Sequence, residues 1–200
     1  GNDEQKEILQ MNLGKLLLDA KAHIQFVLVV TVIVAVIFVV AVAAERVLFK
    51  DNIKSVAKTR KIAVVGMLSA ISVVLMLFEI PLPFAPEFYK LDFSELPVLI
   101  GSFALGPVSG VLIELCKILL KLVIKGTTTA FVGDFANFII GCSMIVPASI
   151  VYHKIKTKKG ALVGLAVGTL VMTVFGSLFN AFYLLPAFAA LYGMPLDAIV

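Results

Sequence analysis

Four charged side chains share one face of a predicted helix in an otherwise apolar stretch. Glu114, Lys117, Lys121 and Lys125 recur at i, i+3, i+7 and i+11, and this spacing places them on the same side of a helix. Glu114 and Lys117 are close enough in sequence to form an ion pair. The other two lysines have aliphatic stems that can carry their ammonium groups from an apolar interior to water. The pattern predicts a structural ion pair or a polar binding face.

Two further polar positions lie among apolar residues. Asp134 and Asn137 stand three apart in FVGDFANF, where an acidic residue favours a helix N-terminus and an amide can bond across helices. Asn180 lies within GSLFNAFYLLP, and a buried amide there needs a partner. That partner is a neighbouring helix or the amide or imide edge of a ligand. The aromatic residues around Asn180 either pack in the core along one side of the helix or form the wall of a site for a planar ligand ring. They are Phe175, Phe179, Phe182 and Tyr183.

The segment 79–95, EIPLPFAPEFYKLDFSE, separates two apolar runs. Its three prolines exclude a regular helix, because each lacks an N–H group and restricts the residue before it; they are Pro81, Pro83 and Pro86. A long non-helical loop with interleaved aromatic and acidic residues is typical either of a segment that covers a ligand or of an extracellular connector.

The composition identifies the elements that position these residues as membrane helices. Of the 200 residues, 60% are hydrophobic and only 15% are charged, and the mean hydropathy is +1.07. Soluble domains are about 45–50% apolar and about 25% charged. Cys116 and Cys142 fit no metal-binding or disulfide spacing and are interpreted as packing residues. The net charge of +4 comes from short loops, which argues against a nucleic-acid partner.

Hydropathy and loop charge predict an all-α, multi-pass topology. The predicted spans are 24–44, 62–80, 108–125, 130–152 and 160–185, with a short or tilted helix over 95–106. Basic residues dominate the loops 45–61 and 153–159, so both loops are predicted to be cytoplasmic and the segment 79–95 to be outside. The run 24–44 is longer than a signal-peptide core and follows no basic tract, so we interpret it as a retained helix.

Small residues flatten one face of the second predicted span. Gly66 and Ala70 stand four apart in GMLSA, and small residues at this spacing let another helix approach closely. The face serves either packing within the protein or a partner interface. Elsewhere His23 and His153 lie at membrane edges, away from any cysteine or carboxylate cluster. With no catalytic constellation, metal-ligand spacing or phosphate-binding loop, the sequence does not predict an enzyme.

Several motifs occur together in a known order. They are GMLSA, PLPFAP, KLDFSELPVLIGSFALGPVSG, the helix start ANF, and SLFNAFYLLPAF followed by YGMP. In this combination the chain resembles the riboflavin-binding S components of energy-coupling-factor (ECF) transporters, the RibU family. The resemblance covers about residues 60–200.

The resemblance implies roles for particular residues. Gly66 and Ala70 match the small-residue motif by which S components dock on their shared transmembrane coupling subunit, with glycine in place of the first alanine. Asn180 matches the asparagine that hydrogen-bonds the isoalloxazine ring. The segment that covers the ligand is matched by Leu91, Asp92, Phe93 and Ser94. From the residues alone, Lys117 and Asn137 complete the candidate substrate-binding set.

The implied fold is an S-component-like bundle with a core of six helices. Five helices are predicted from residue 62 onward. In the family a sixth helix, which carries a lysine expected at the ligand, would follow the segment 192–199. We therefore expect the native chain to continue beyond Val200. We expect residues 1–60 to form an N-terminal extension that holds the extra helix 24–44 and a basic loop, and residues 61–200 to form the core.

The resemblance implies a substrate-binding subunit of a bacterial uptake transporter in the cell membrane. Riboflavin would be its transported ligand rather than a cofactor, and its partners would be a coupling subunit, two ATPase subunits and the lipid bilayer. The alternatives are an S component for another vitamin, such as thiamine or folate, a small enzyme acting on lipid, and a membrane assembly subunit without a transport function.

Overall fold

A computed structural model gives the structure of the protein. It describes the backbone of residues 2–49, 58–81, 90–91, 93–127 and 131–186, and side chains within 24–49, 58–80, 93–127 and 131–186. Residues 187–200 therefore lie outside the described part of the chain, as do Asp92 and the middle of the 79–95 segment.

The described chain is helical except for one small ribbon. Its helices are α1 (Asn2–Leu48), α2 (Lys58–Leu77), α3 (Glu95–Leu105), α4 (Pro107–Lys125), α5 (Val132–Ile155) and α6 (Lys158–Phe179), and α6 continues into a π-helical turn (Asn180–Leu184). The strands β1 (Ile80–Pro81) and β2 (Lys90–Leu91) pair antiparallel. The all-α fold class is confirmed, and the described residues of the proline-rich segment before Glu95 are not helical.

The chain divides into two compact units, Gly1–Ile37 and Phe38–Val200. The described residues of the first unit all belong to helix α1, and among them Thr31 Oγ1 donates to the Val27 carbonyl at 2.8 Å. This bond satisfies a hydroxyl that would otherwise be costly in an apolar helix. The helix prediction for 24–44 is confirmed, although α1 is longer than predicted at both ends. The domain division at residue 60 stays a prediction.

The core of the second unit lies where α2, α3, α4 and α5 meet. Its buried residues are Leu68, Val98, Leu99, Ile113, Ile145 and Ala148. A small hydroxyl group makes a polar contact between two of these helices: Ser149 Oγ donates to the Ser102 carbonyl at 3.0 Å. The two bonded groups replace water as each other's partners in a region where an unpaired polar atom would be costly.

Helices α5 and α6 pack at close range through glycines on α6. A Cβ atom at Gly164 would lie 2.7 Å from the Ala148 carbonyl oxygen, and one at Gly168 would lie 2.6 Å from the Met144 carbonyl oxygen. Backbone atoms cannot yield as a flexible side chain does. The two glycines are therefore required by the approach of α5, as is typical of small residues between membrane helices.

Replacing Gly164 with alanine is expected to lower the free energy of unfolding by about 1–3 kcal/mol, the usual range for overpacking. The matched control is Gly176→Ala on the same helix, where the new Cβ would meet only Ile140 Cγ2 at 3.8 Å. The control should be neutral or stabilising by up to about 1 kcal/mol, because alanine is the better helix former. Unfolding in detergent measures both, and equal effects of the two changes would contradict the close-packing argument.

One end of the second unit is closed by the last turn of α1. Glu45 Oε2 accepts from the Val108 backbone N–H at 3.1 Å, and Glu45 Oε1 is 3.2 Å from Lys61 Nζ. The turn between α3 and α4 needs Gly106, whose φ is +104°, and Pro107 then begins α4. A carboxylate at a helix N-terminus satisfies a free N–H group and interacts favourably with the helix dipole.

A described residue of each basic loop lies at this same end. The ring of Phe49, which follows α1, lies edge-on to the ring of His153 near the end of α5, with centroids 5.1 Å apart. Phe49 is in the first predicted cytoplasmic loop and His153 is in the second. Their contact agrees with the predicted topology, in which both loops are on one side of the membrane.

Within the described residues, four helical segments are long and apolar enough to cross a membrane: Ile24–Leu48, Lys58–Leu77, Val132–Ile155 and Lys158–Leu184. Helix α3 is apolar but short, as predicted. Helix α4 has 19 residues and carries Glu114, Lys117, Lys121 and Lys125. Because charges at membrane depth seldom face lipid, α4 must direct this face into the protein or toward water.

Candidate functional site

The predicted Glu114–Lys117 pair forms, and a third charged residue joins it. Lys117 Nζ lies 2.8 Å from Glu114 Oε1 and 2.7 Å from Glu95 Oε1 at the start of α3. The Lys117 and Glu114 side chains are fully buried, and that of Glu95 is 29% exposed. A buried ammonium with two carboxylates avoids the large cost of an unpaired buried charge.

Ser94 connects this ion cluster to the segment that precedes α3. Its hydroxyl oxygen lies 3.3 Å from Lys117 Nζ, which donates to it. Its carbonyl accepts from Ser72 Oγ on α2 at 2.5 Å. Ser94 is buried, and these two hydrogen bonds attach it to α4 and α2. The neighbouring Phe93 is 63% exposed.

A second lysine of α4 pairs with the start of α5. Lys121 Nζ donates to Asp134 Oδ1, and Asp134 Oδ2 accepts from Thr127 Oγ1 at 2.8 Å. Thr127 Oγ1 in turn accepts from the Phe131 N–H at 2.9 Å. Phe131 has a φ of +69°, a conformation that costs a bulky residue free energy. The network offsets that cost and fixes the connection between α4 and α5.

The third lysine of α4 pairs with the end of the α2 segment. Lys125 Nζ donates to Glu79 Oε1, and the two side chains are 39% and 17% exposed. Glu79 directly precedes β1, in which Ile80 is the register partner of Leu91. The pair therefore fixes the first strand of the ribbon against the end of α4.

Asn180 begins the π-helical turn that follows α6. Such turns are rare and often occur at functional sites. The rings of Phe175, Phe179 and Tyr183 stack successively along this side of the helix, with centroids 6.0 and 5.0 Å apart. Asn180 itself is half-buried. Asn180 thus lies in the chain between Phe179 and Tyr183, two residues of this aromatic stack.

The π-helical turn packs on the first turns of α5. Leu184 and Ala136 are buried together, and Phe179 packs against them with Val132 and Ile140. Asn137, half-buried, follows Ala136 on α5. Asn137 and Asn180 are thus carried by two segments that pack directly on each other, at the end of α5 remote from the basic loop.

The face with the small residues on α2 is open. A Cβ atom at Gly66 would have no neighbour within 4 Å, and Ala70 is exposed. Large apolar residues on the same helix are also exposed, namely Ile62, Met67, Ile71 and Val74. This face is covered by lipid or by another protein, because no described residue of the chain packs over Gly66.

A family model for the substrate-specific component of ECF transporters matches residues 60–200. The chain belongs to this family. The match includes nearly all of α2, all of α3 to α6 and the π-helical turn, and therefore both partners of each ion pair that the α4 lysines form.

Two curated relatives extend the comparison. The S component described here is 39% identical to the riboflavin transporter FmnP of Bacillus subtilis over 132 residues, which are 66% of this chain and 70% of the relative. It is 37% identical to the riboflavin transporter RibU of Staphylococcus aureus over 137 residues, 68% of this chain and 69% of the relative.

A solved S component of a bacterial ECF transporter has the same fold. The TM-score is 0.62 at 37% sequence identity, and the alignment covers 71% of this chain and 81% of the other. The resemblance predicted from the sequence is confirmed. The S component is a multi-pass protein of the bacterial membrane with a role in transport rather than catalysis, and the coupling and ATPase subunits are its partners at the level of the family.

The structure brings some of the predicted site residues together. Ser94 and Lys117 are in contact, and Asn137 and Asn180 lie on packed segments. Leu91 is described only as part of β2, and Asp92 lies outside the described residues. The binding roles of all these residues stay predictions, as do those of Gly66 and Ala70.

Sequence reasoning missed the partners of the α4 lysines. Lys121 and Lys125 were expected to reach water, whereas each binds a carboxylate of another segment. The sequence did contain a signal for these ion pairs. Three lysines recur at intervals of four residues, and three carboxylates lie near them at the ends of predicted segments. Those carboxylates are Glu79, Glu95 and Asp134.

Proposed function

We propose that this S component captures riboflavin from outside the cell and delivers it through the coupling subunit and two ATPase subunits. The observation that carries the proposal is the 39% and 37% identity to two riboflavin transporters, together with the family match over residues 60–200, which include the polar residues of the candidate site. Riboflavin is the transported ligand in this proposal, and the protein itself uses no cofactor.

The proposed binding site lies at the outer end of the second unit. Asn180 hydrogen-bonds the polar edge of the isoalloxazine ring, and Asn137 lies on the helix that packs against it. Leu91, Asp92 and Phe93 contribute next to Ser94, and Lys117 acts from behind Ser94 through its hydrogen bond. Apolar walls suit the ring and convergent polar groups suit the ribityl chain, as is general for small-molecule sites.

An absorbance spectrum of the purified protein tests the proposed ligand. A flavin spectrum, with riboflavin recovered by chromatography after release, is the expected result. A colourless protein that also fails to bind added riboflavin would contradict the proposal. Competition with thiamine and folate separates riboflavin from the other vitamins, because neither should displace it at equal concentration.

The proposed docking face on α2 gives a separate prediction. Gly66→Leu should abolish co-purification with the coupling subunit and leave riboflavin affinity within about 2-fold. The isolated protein has room for the new side chain, so the loss would arise at the interface, where small residues permit close approach.

Ala166→Leu on α6 is the matched control for docking. Ala166 is also an exposed small residue in a helix, so this change adds the same leucine surface on a different face. It should leave co-purification intact. Survival of the complex in Gly66→Leu would remove this face of α2 from the proposed interface.

A further inference from the structure

Three lysines of α4 each bind a carboxylate from a different part of the chain. Lys117 contacts Glu95 at the start of α3, Lys121 contacts Asp134 in the first turn of α5, and Lys125 contacts Glu79 at the end of the α2 segment. The lysines recur at intervals of four residues and lie on one helix face. We call them the lysine row.

Each partner carboxylate is close in the chain or in the ribbon to a residue of the proposed site. Glu95 directly follows Ser94, and Asp134 precedes Asn137 by one helical turn. Glu79 precedes Ile80, whose register partner across the ribbon is Leu91. One helix thereby determines the relative positions of three segments that carry proposed ligand contacts.

We propose that Lys121 and Lys125 are positioning residues for substrate binding. Lys121 holds the start of α5, and Lys125 holds the ribbon, each at a fixed position along α4. The proposed ligand contacts are therefore already in place before the ligand arrives. A preorganised site loses less free energy to ordering when it binds. The proposal deepens the proposed function and rests on it for the identity of the ligand.

The two pairs differ in burial, and the expected effects differ accordingly. The Lys121 and Asp134 side chains are 13% and 6% exposed, whereas Lys125 is 39% exposed. Loss of one partner from a largely buried pair leaves the other charge buried and unpaired. Loss of an exposed pair costs little, since water and salt screen it.

Riboflavin binding kinetics of the full chain in lipid nanodiscs test the proposal. Lys121→Met should raise the dissociation rate constant about 10-fold or more, as for a buried pair that loses one partner. Lys125→Met should raise it about 2- to 5-fold, as for an exposed pair. The association rate constant should change less than the dissociation rate constant, as is usual when contacts in a complex are altered.

Restoring the charges should restore binding. The exchanged pair Glu79→Lys with Lys125→Glu should return the dissociation rate constant to within about 2-fold of the original value, and Lys121→Arg should retain most of the affinity. Lys154→Met is the matched control, because Lys154 is an exposed lysine near the other end of α5. Rates equal to those of this control in both Lys121→Met and Lys125→Met, or no recovery in the exchanged pair, would overturn the proposal.

A ligand-free measurement separates this proposal from the proposed function. If the unaltered protein binds no riboflavin, the proposed function fails, and hydrogen exchange at the ribbon amides then decides the positioning role. Faster exchange at Ile80 and Leu91 in Lys125→Met than in Lys154→Met would support it. Equal exchange in the two variants would overturn it.

Discussion

Replacing Lys117 with methionine is expected to lower the free energy of unfolding by about 3–5 kcal/mol, the range measured when one partner of a buried ion pair is removed. The Lys117 ammonium lies 2.8 Å from Glu114 Oε1 and 2.7 Å from Glu95 Oε1. Its removal leaves the fully buried Glu114 carboxylate and the nearby Glu95 without this cation. Methionine preserves most of the volume, so the loss would come from charge rather than from a cavity.

Thermal or chemical unfolding in detergent measures this loss. The double variant Lys117→Met with Glu114→Gln removes the buried negative charge and should recover part of the stability. A double variant as unstable as Lys117→Met alone would show that burial of Glu114 is not the cause. Glu114→Gln alone should cost less than Lys117→Met, because Lys117 still binds Glu95.

Asn180→Ala is expected to weaken riboflavin binding by about 10- to 100-fold. This corresponds to about 1–3 kcal/mol, the cost of burying a polar group of the ligand without a hydrogen-bond partner. The proposed role of Asn180 is to pair with the polar edge of the ring. The affinity should fall by more than the free energy of unfolding does, and ligand titration and unfolding in detergent measure these two effects separately.

Thr173→Ala is the matched control on α6. Thr173 is exposed and its hydroxyl donates to the Thr169 carbonyl of the same helix at 2.8 Å, so its loss should alter neither binding nor stability by much. Equal riboflavin affinity in Asn180→Ala and the unaltered protein would remove Asn180 from the site. A parallel loss of stability and affinity would instead assign it to helix packing.

The helices were predictable because their apolar runs have the length that a bilayer imposes. The run 62–80 became α2, and the prolines after it excluded a longer helix. The α3–α4 break was visible as Gly106-Pro107, a pair of residues suited to a turn and a helix start. The π-helical turn at Asn180 was not predictable, because a shift in helical hydrogen bonding leaves no mark in hydrophobic periodicity.

The candidate site was predictable only in part. The pairing of Glu114 with Lys117 follows from their spacing on one helix. The contacts of Lys117 with Glu95, and of Lys125 with Glu79, join residues 22 and 46 positions apart. Such contacts depend on how the helices pack, which local spacing does not encode, so a surplus of lysines could be recognised but their partners could not be assigned.

The contact between Glu45 and the first turn of α4 bears on how this protein should be shortened or fused. The family match begins at residue 60, yet Glu45 supplies an acceptor to the Val108 N–H and a counter-charge to Lys61. A chain cut at residue 60 would expose a helix end that is closed in the intact molecule. Expression variants and insertion points should therefore be placed before Ile24, ahead of the apolar segment Ile24–Leu48 that carries Glu45, rather than at the edge of the recognisable family sequence.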